Sequence, residues 1–319
     1  MKILLTDNIN ADALNMLKKD FHVDLKLGLN EDQLTALIPE YDVLIVRSSV
    51  KVTERVIKAG KKLKIIGRPG VGVDNIDVKA ATSEGIAVIN TPLGNINAVA
   101  EYTFALMLSL SRQVPKACST LKEKKVWDRK SFLGVELKEK TLGIIGFGNI
   151  GKIVARIAKH GFMMDVITSD PVISEEDALK HNARLVSLDE VLHKSDFITI
   201  HVPINDKTKN MISEHAFSKM KKSCRLINAA RGGVVDENAL YDALKSGKIA
   251  GAAIDVWQTE PCTNSPLFEL DNVIAMPHLG GSTLEAQENV AVDIAIHILE
   301  AFRSGIMQYS LNGIKELRE

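Results

Sequence analysis

Three ionisable residues in the second half of the chain are of the types that together move a hydride and a proton: Arg231, Glu260 and His278. Each follows a short apolar run that reads as a β-strand. Arg231 comes after Leu226-Ile227-Asn228-Ala229-Ala230, Glu260 after a run ending at Asp255, and His278 after Val273–Pro277. Parallel strands of an open α/β sheet deliver the residues at their carboxyl ends to one edge, where ligands bind. A guanidinium there can clamp a carboxylate and polarise the neighbouring carbonyl. An imidazolium can give a proton to the carbonyl oxygen as hydride arrives at carbon. A carboxylate beside an imidazole favours the charged ring. Taken singly, such a histidine is more often structural, and such an arginine or glutamate is more often a surface charge. Their shared placement, downstream of the stretch described next, is what gives them meaning.

That stretch runs from Thr141 to Pro171, TLGIIGFGNIGKIVARIAKHGFMMDVITSDP. The apolar run Leu142–Ile145 leads directly into Gly146, Gly148 and Gly151. A helical pattern follows (Ile150, Val154, Ile157, Ala158), Gly161 breaks it, and a second apolar run, Val166–Ile167, leads to Asp170. Strand, glycine turn, helix, strand and acid are the parts of a dinucleotide site. Gly146 permits the tight turn, Gly148 admits a pyrophosphate close to the backbone, and Gly151 lets helix and strand pack closely. The helix N-terminus offers unpaired N–H groups and a positive dipole end to phosphates. Asp170 can accept hydrogen bonds from both adenosine ribose hydroxyls and would repel a 2′-phosphate, which selects NAD. The blander reading, a glycine turn that only tightens a βα corner, leaves Asp170 at a strand end unexplained.

The elements that must position these residues alternate along the whole chain. Before residue 90, strands are expected at Ile3–Thr6, Val23–Leu25, Val43–Val46, Lys64–Ile66 and Ala87–Ile89. Helices are expected at Ala11–Lys19, Asn30–Ile38, Thr53–Ala59 and Val78–Ser83, with Asp7, Asn30 and Thr53 as N-caps. Asn90-Thr91-Pro92-Leu93-Gly94-Asn95 interrupts the alternation and reads as a crossing between domains. A long helix, about Asn97 to Lys122 with a kink at Pro115, is apolar over much of its surface and must be buried, in the chain or against a second subunit. After Asp170, strands at Phe197–His201, Arg225–Asn228, Ala250–Asp255 and Val273–Ala275 complete an expected six-stranded sheet. Helices accompany them at Leu188–His193, Ser213–Lys219 and Glu237–Lys245, the last capped by Asp236. A final helix, about Ser282 to Phe302, is expected to return to the first domain. The fold class is therefore α/β: two doubly wound parallel-sheet domains, a Rossmann-type NAD domain (95–281) inserted in a flavodoxin-like substrate domain (1–94 and 282–319).

Composition excludes several classes. The 319 residues carry a net charge of zero, with 25% charged and 45% apolar residues, so no nucleic-acid footprint or polybasic membrane patch is indicated. No apolar run is long enough to span a bilayer, and the start, MKILLTDNINADAL, lacks a signal-peptide core. Cys118, Cys224 and Cys262 are too few and too scattered for a metal site or a disulfide framework. A cytoplasmic, metal-free protein is the expectation.

The strings GFGNIG (146–151), NAARGGVVDENAL (228–240), AAIDVWQTEP (252–261) and MPHLGGST (276–283) resemble those of the D-isomer-specific 2-hydroxyacid dehydrogenases, and the resemblance spans essentially the whole chain. It implies Arg231 as the substrate-binding arginine, His278 as the acid/base and Glu260 as its partner. It implies NAD contacts at Gly146, Gly148, Asn149, Ile150, Gly151, Asp170, Val202, Pro203, Ala229, Ala230, Arg231, Asp255, His278, Gly280 and Gly281, with Asp255 holding the nicotinamide carboxamide. VRSSVKVT (46–53), GRPGVGVDNID (67–77), NTPLGNINAVAEYT (90–103) and WDRKSFLG (127–134) resemble the branch acting on a phosphorylated 2-hydroxy acid. Arg47, Ser48, Arg68, Gly70 and Val71 are implied as substrate contacts, the two arginines for the phosphate. Arg129 is implied as reaching a neighbouring subunit's site, in a homodimer. Val71 and Val202 stand where relatives often carry Thr, leaving backbone contacts to the cofactor. Longer members carry a C-terminal regulatory domain. The chain ends at Glu319, so no feedback through such a domain is expected. The rival readings are a hydroxypyruvate/glyoxylate reductase or another D-2-hydroxyacid dehydrogenase, and an NADH-sensing binding protein.

Overall fold

The computed structural model describes residues 1–318; Glu319, the last residue of the expected first domain, lies outside them. The chain divides into two compact units, Met1–Ile96 with the segment from Ser282, and Asn97–Gly281.

The first unit carries five parallel strands, β1 (Lys2–Leu5), β2 (His22–Leu25), β3 (Val43–Ile45), β4 (Ile65–Arg68) and β5 (Ala87–Asn90), in the order 2-1-3-4-5. Strands β3 and β5 are buried along their whole length, as a sheet covered on both faces requires. The helices α1 (Ala11–Asp20), α2 (Glu31–Leu37), α3 (Glu54–Ala59) and α4 (Val78–Ser83) connect them. Asn30 closes a capping box with Gln33 at the start of α2, as its sequence suggests. Thr53 stands at the N-cap of α3 as expected, although its hydroxyl donates to Glu31 rather than accepting from its own helix. One expected cap is corrected: Asn10, not Asp7, caps α1. The last helix of the chain, Leu284–Ser304, packs Ile294, Ile298 and Leu299 against Ile3, Leu17 and Phe21 of this unit.

The second unit begins with the long apolar segment. It is two helices, α5 (Ile96–Arg112) and α6 (Val114–Lys122), rather than one kinked rod. Gln113 adopts a left-handed conformation (φ 53°) between them, and Pro115 sits in the first turn of α6, where its missing N–H costs nothing. Phe104, Leu106, Met107 and Leu110 of α5 enter the unit's own core, and Phe104 stacks on Phe162 with ring centroids 5.1 Å apart.

Seven parallel strands follow: β6 (Thr141–Ile145), β7 (Asp165–Ser169), β8 (Arg184–Leu185), β9 (Phe197–Ile200), β10 (Arg225–Asn228), β11 (Gly251–Ile254) and β12 (Val273–Ala275). Their order is 12-11-10-9-6-7-8, the Rossmann arrangement with one added strand, and its switch point lies between β6 and β9. Helices α7 (Asn149–Phe162), α8 (Glu175–Lys180), α9 (Leu188–Lys194), α10 (Glu214–Lys219) and α11 (Glu237–Lys245) cover the sheet, and α12 is the closing helix Leu284–Ser304. The expected count of six strands is corrected to seven. The extra strand, β8, has two residues and no apolar run to announce it. No helix among the described residues is long and apolar enough to cross a membrane.

Candidate active site

The glycine turn sits at the switch point. Gly146 has φ +90°, and a Cβ there would lie 2.5 Å from the carbonyl oxygen of His201 and 2.7 Å from Cγ1 of Val202, so only glycine fits. A Cβ on Gly151 would lie 2.5 Å from the carbonyl oxygen of Gly146. Gly148 differs: a Cβ there would meet nothing within 4 Å. Internal packing demands two of the three glycines, and the third leaves open room at the head of α7. That helix has no side-chain cap and no acid in its first turn, so its first N–H groups suit a phosphate, beside exposed Asn149 and half-buried Ile150.

Asp170 follows β7 and faces this turn. Its Oδ2 accepts from the Phe147 N–H at 2.7 Å and its Oδ1 from the Val172 N–H at 2.8 Å. The carboxylate therefore braces the glycine turn, and each oxygen keeps a further lone pair for ribose hydroxyls.

The carboxyl ends of β10, β11 and β12 bring the three ionisable residues to the same edge of the sheet. Asn228, buried at the end of β10, folds the next turn. Its Oδ1 accepts from the Ala230 N–H at 3.2 Å and its Nδ2 donates to the Arg231 carbonyl at 3.1 Å. The Arg231 guanidinium donates to the Ala230 carbonyl at 2.6 Å. Gly232 then passes directly against the Trp257 carbonyl, where a side chain has no room.

Glu260 Oε1 accepts from the Trp257 N–H at 3.0 Å, and its Oε2 lies 2.7 Å from His278 Nδ1. A carboxylate can only accept, so Nδ1 carries the proton and Nε2 is the basic nitrogen of the neutral ring. His278 has φ +58°, unusual for a residue with a side chain. Its own N–H donates to the Asp255 carbonyl at 2.8 Å. The Asp255 carboxylate is fully buried and accepts from the Leu279 N–H (2.8 Å), the Gly280 N–H (2.9 Å) and the Tyr102 hydroxyl (3.1 Å). Asp255, expected to hold a cofactor amide, thus fastens the histidine loop. Of the other expected contacts, Val202 is half-buried beside Gly146, Pro203 is exposed, Ala229 is buried, and Ala230 and Gly281 are half-buried.

The first unit carries the remaining expected residues. Asp7 at the end of β1 receives the Arg47 N–H (2.8 Å) and the Ser49 N–H (3.3 Å) on its carboxylate, and Asn75 Nδ2 donates to the Arg47 carbonyl (2.9 Å). Ser48, between them, is exposed. The Arg47 guanidinium donates to Gln287 of α12. The Arg68 guanidinium lies against Gly70, where a Cβ would collide with it, and donates to the Pro69 carbonyl at 3.3 Å. Thr91 and Asn90 at the end of β5 hold the Gly70 N–H (2.7 Å) and the Val71 carbonyl (2.6 Å). Arg129 is exposed in the stretch after α6. Asp7, Asn75 and Tyr102 were not legible as site residues, because their side chains bond to partners tens of residues away and leave no local pattern; Asn228, whose bonds are local, ends an apolar run and reads there only as its last residue.

Glycine turn, bracing acid and an imidazole–carboxylate pair on one Rossmann edge are the parts that a dinucleotide-dependent dehydrogenase uses. The chain belongs to the D-isomer specific 2-hydroxyacid dehydrogenases: the model of that family's NAD binding domain matches residues 104–280. A D-3-phosphoglycerate dehydrogenase from Synechocystis is 48% identical over 297 residues, covering 93% of this chain and 53% of that protein. The chain thus spans about half the length of the curated relatives it matches. Among solved structures, a glyoxylate reductase from Paecilomyes thermophila superposes with a TM-score of 0.90 at 30% identity, covering 98% of both chains. A D-lactate dehydrogenase from Aquifex aeolicus, complexed with NAD and lactic acid, gives 0.85 at 30% identity, covering 98% of this chain and 99% of that one.

Proposed function

We propose that the protein oxidises 3-phospho-D-glycerate to 3-phosphooxypyruvate with NAD, the entry to serine synthesis. The observation that carries the chemistry is the 2.7 Å contact of His278 Nδ1 with Glu260 Oε2, which presents a basic Nε2 on the edge that also carries Arg231. The substrate assignment is supported by the likeness to proteins named D-3-phosphoglycerate dehydrogenase and by Arg47 and Arg68, two guanidiniums that suit a phosphate.

NAD, when bound at the glycine turn, supplies the hydride acceptor. Arg231 holds the substrate carboxylate and orients the carbon that gives up hydride. His278 Nε2 takes the hydroxyl proton as that hydride departs, and Glu260 stabilises the imidazolium that forms. In the reverse direction the same ring returns the proton. Asp170 disfavours a 2′-phosphate and so supports NAD over NADP. Arg47 and Arg68 hold the phosphate.

The protein acts as a homodimer in this reading. Most of α5 is covered within its own unit, so the support comes from the exposed apolar residues after it: Leu121, Val126, Trp127 and Leu133. Arg129 in that stretch would then reach the partner's substrate. Sedimentation should give a dimer that Trp127→Glu dissociates; a monomeric wild type would remove this part.

The test of the function is NADH formation from 3-phospho-D-glycerate, run beside D-lactate, glycerate and glycolate. Turnover confined to the phosphorylated acid supports the assignment. Turnover of the unphosphorylated acids alone keeps His278 and Glu260 in their roles and makes the protein a reductase or dehydrogenase of small 2-hydroxy acids. NADH binding with no turnover of any acid would make it an NADH-sensing protein.

A further inference from the structure

We propose that Tyr102 is a positioning residue for His278, acting through Asp255. The proposal rests on the reading of His278 as the proton-exchanging group. The imidazole stands on a loop whose first residue is left-handed, a conformation that a non-glycine residue keeps only when its surroundings hold it. Asp255 does the holding. Its carbonyl takes the His278 N–H, and its carboxylate takes those of Leu279 and Gly280. These donors all belong to the loop that is to be fixed; the Asp255 backbone is held to the sheet by its own N–H, which donates to the Asn228 carbonyl at 2.9 Å, and this leaves the turn of the carboxylate to be set by another donor. The remaining donor to the carboxylate, among the described residues, is the Tyr102 hydroxyl at 3.1 Å.

Tyr102 comes from α5, two residues from Phe104, which stacks on Phe162 of α7. It therefore ties the loop to a helix seated in the core of the unit. Burial, then the charge of Asp255, holds its phenol above the usual tyrosine range, so it stays a protonated donor near neutral pH. A fully buried carboxylate that loses one of three donors can turn to recover solvation, and the loop and Nε2 would turn with it. Misplacement of a reacting nitrogen by a fraction of an ångström is enough to slow proton and hydride transfer.

Tyr102→Phe removes one oxygen and no packing volume. Its kcat should fall roughly tenfold while KM for the hydroxy acid stays within about twofold, the pattern of misplacement rather than lost binding. A tyrosine that merely stabilises the fold would lower the melting temperature and leave kcat of the folded enzyme unchanged. Tyr102→Leu, which also loses the ring, should lower kcat at least as much. In an Asp255→Asn background Tyr102→Phe should have little further effect, since the residue it acts through is already altered. Wild-type kcat in folded Tyr102→Phe overturns the proposal, as does a full additional tenfold loss in the Asp255→Asn background. The underlying reading is tested separately: His278→Gln with wild-type turnover would sink it whatever Tyr102→Phe does.

Discussion

The two sheets of this protein use one device for different ends. In the first unit a carboxylate at a strand end, Asp7, collects the backbone N–H groups of Arg47 and Ser49. In the second, Asp255 at a strand end collects those of Leu279 and Gly280. Each turns an irregular loop into a fixed platform by satisfying donors that no strand partner can reach. What stands on the platform differs. On the first it is a guanidinium, always charged and bonded to the neutral amide of Gln287. On the second it is an imidazole held against a carboxylate, a pair that can pass a proton. One platform suits holding charge and the other suits moving it, and that difference can be broken experimentally.

The largest expected effect comes from removing the charges on the first platform. Arg47→Gln with Arg68→Gln should lower kcat/KM for 3-phospho-D-glycerate about a hundredfold, mostly through KM, and leave glyoxylate reduction nearly unchanged. Equal losses on both substrates would show that these arginines support the fold and not the phosphate.

A second contrast lies in two histidines whose Nδ1 is buried without a hydrogen-bond partner, His201 at the end of β9 and His297 in α12. Burial lowers both, His201 to about 4 from 6.5. A base lowered in the fold stays neutral while the unfolded chain takes up the proton. The folded state is therefore favoured fully above the unfolded value of 6.5 and loses ground as pH falls toward 4. Denaturant unfolding should show roughly 2 kcal/mol less stability at about pH 5 than at about pH 7 from His201 alone. His201→Gln should flatten that slope; an unchanged slope would assign it to other groups.

A smaller effect is expected at Asp170, the acid proposed to meet the adenosine ribose. Asp170→Asn should weaken NAD binding about tenfold and narrow the preference over NADP, measured by fluorescence titration with both reduced cofactors. An unaltered preference would leave Asp170 only its bonds to the Phe147 and Val172 N–H groups.

How much of this was legible in the sequence follows from the kind of force involved. Apolar runs mark buried strands, so eleven of the twelve strands in the two sheets were visible, and β8 with its two residues was not. Glycines at a strand-to-helix turn are forced by sterics, so Gly146 and Gly151 announced the dinucleotide turn. Arg231, Glu260 and His278 were readable because they follow such runs, and the structure brings Glu260 and His278 into contact. Tyr102 was hidden inside the apolar pattern of α5, and its hydroxyl meets Asp255 only through the fold. Asp7 resembled a helix cap because the local signature of an acid before a helix is the same whether it caps or reaches Arg47. The break at Gln113 was misplaced onto Pro115, since proline is accommodated at the start of a helix as readily as it kinks one.

The central claim is that His278, on the second platform, passes the substrate proton while hydride goes to NAD. It is tested most directly by comparing wild type with His278→Gln for NADH formation from 3-phospho-D-glycerate and, by fluorescence, for NADH binding. The account gives a wild type that turns over and a variant that binds NADH as tightly but is slower by roughly a thousandfold. A variant that keeps its turnover, or a wild type that binds NADH and oxidises nothing, would contradict it.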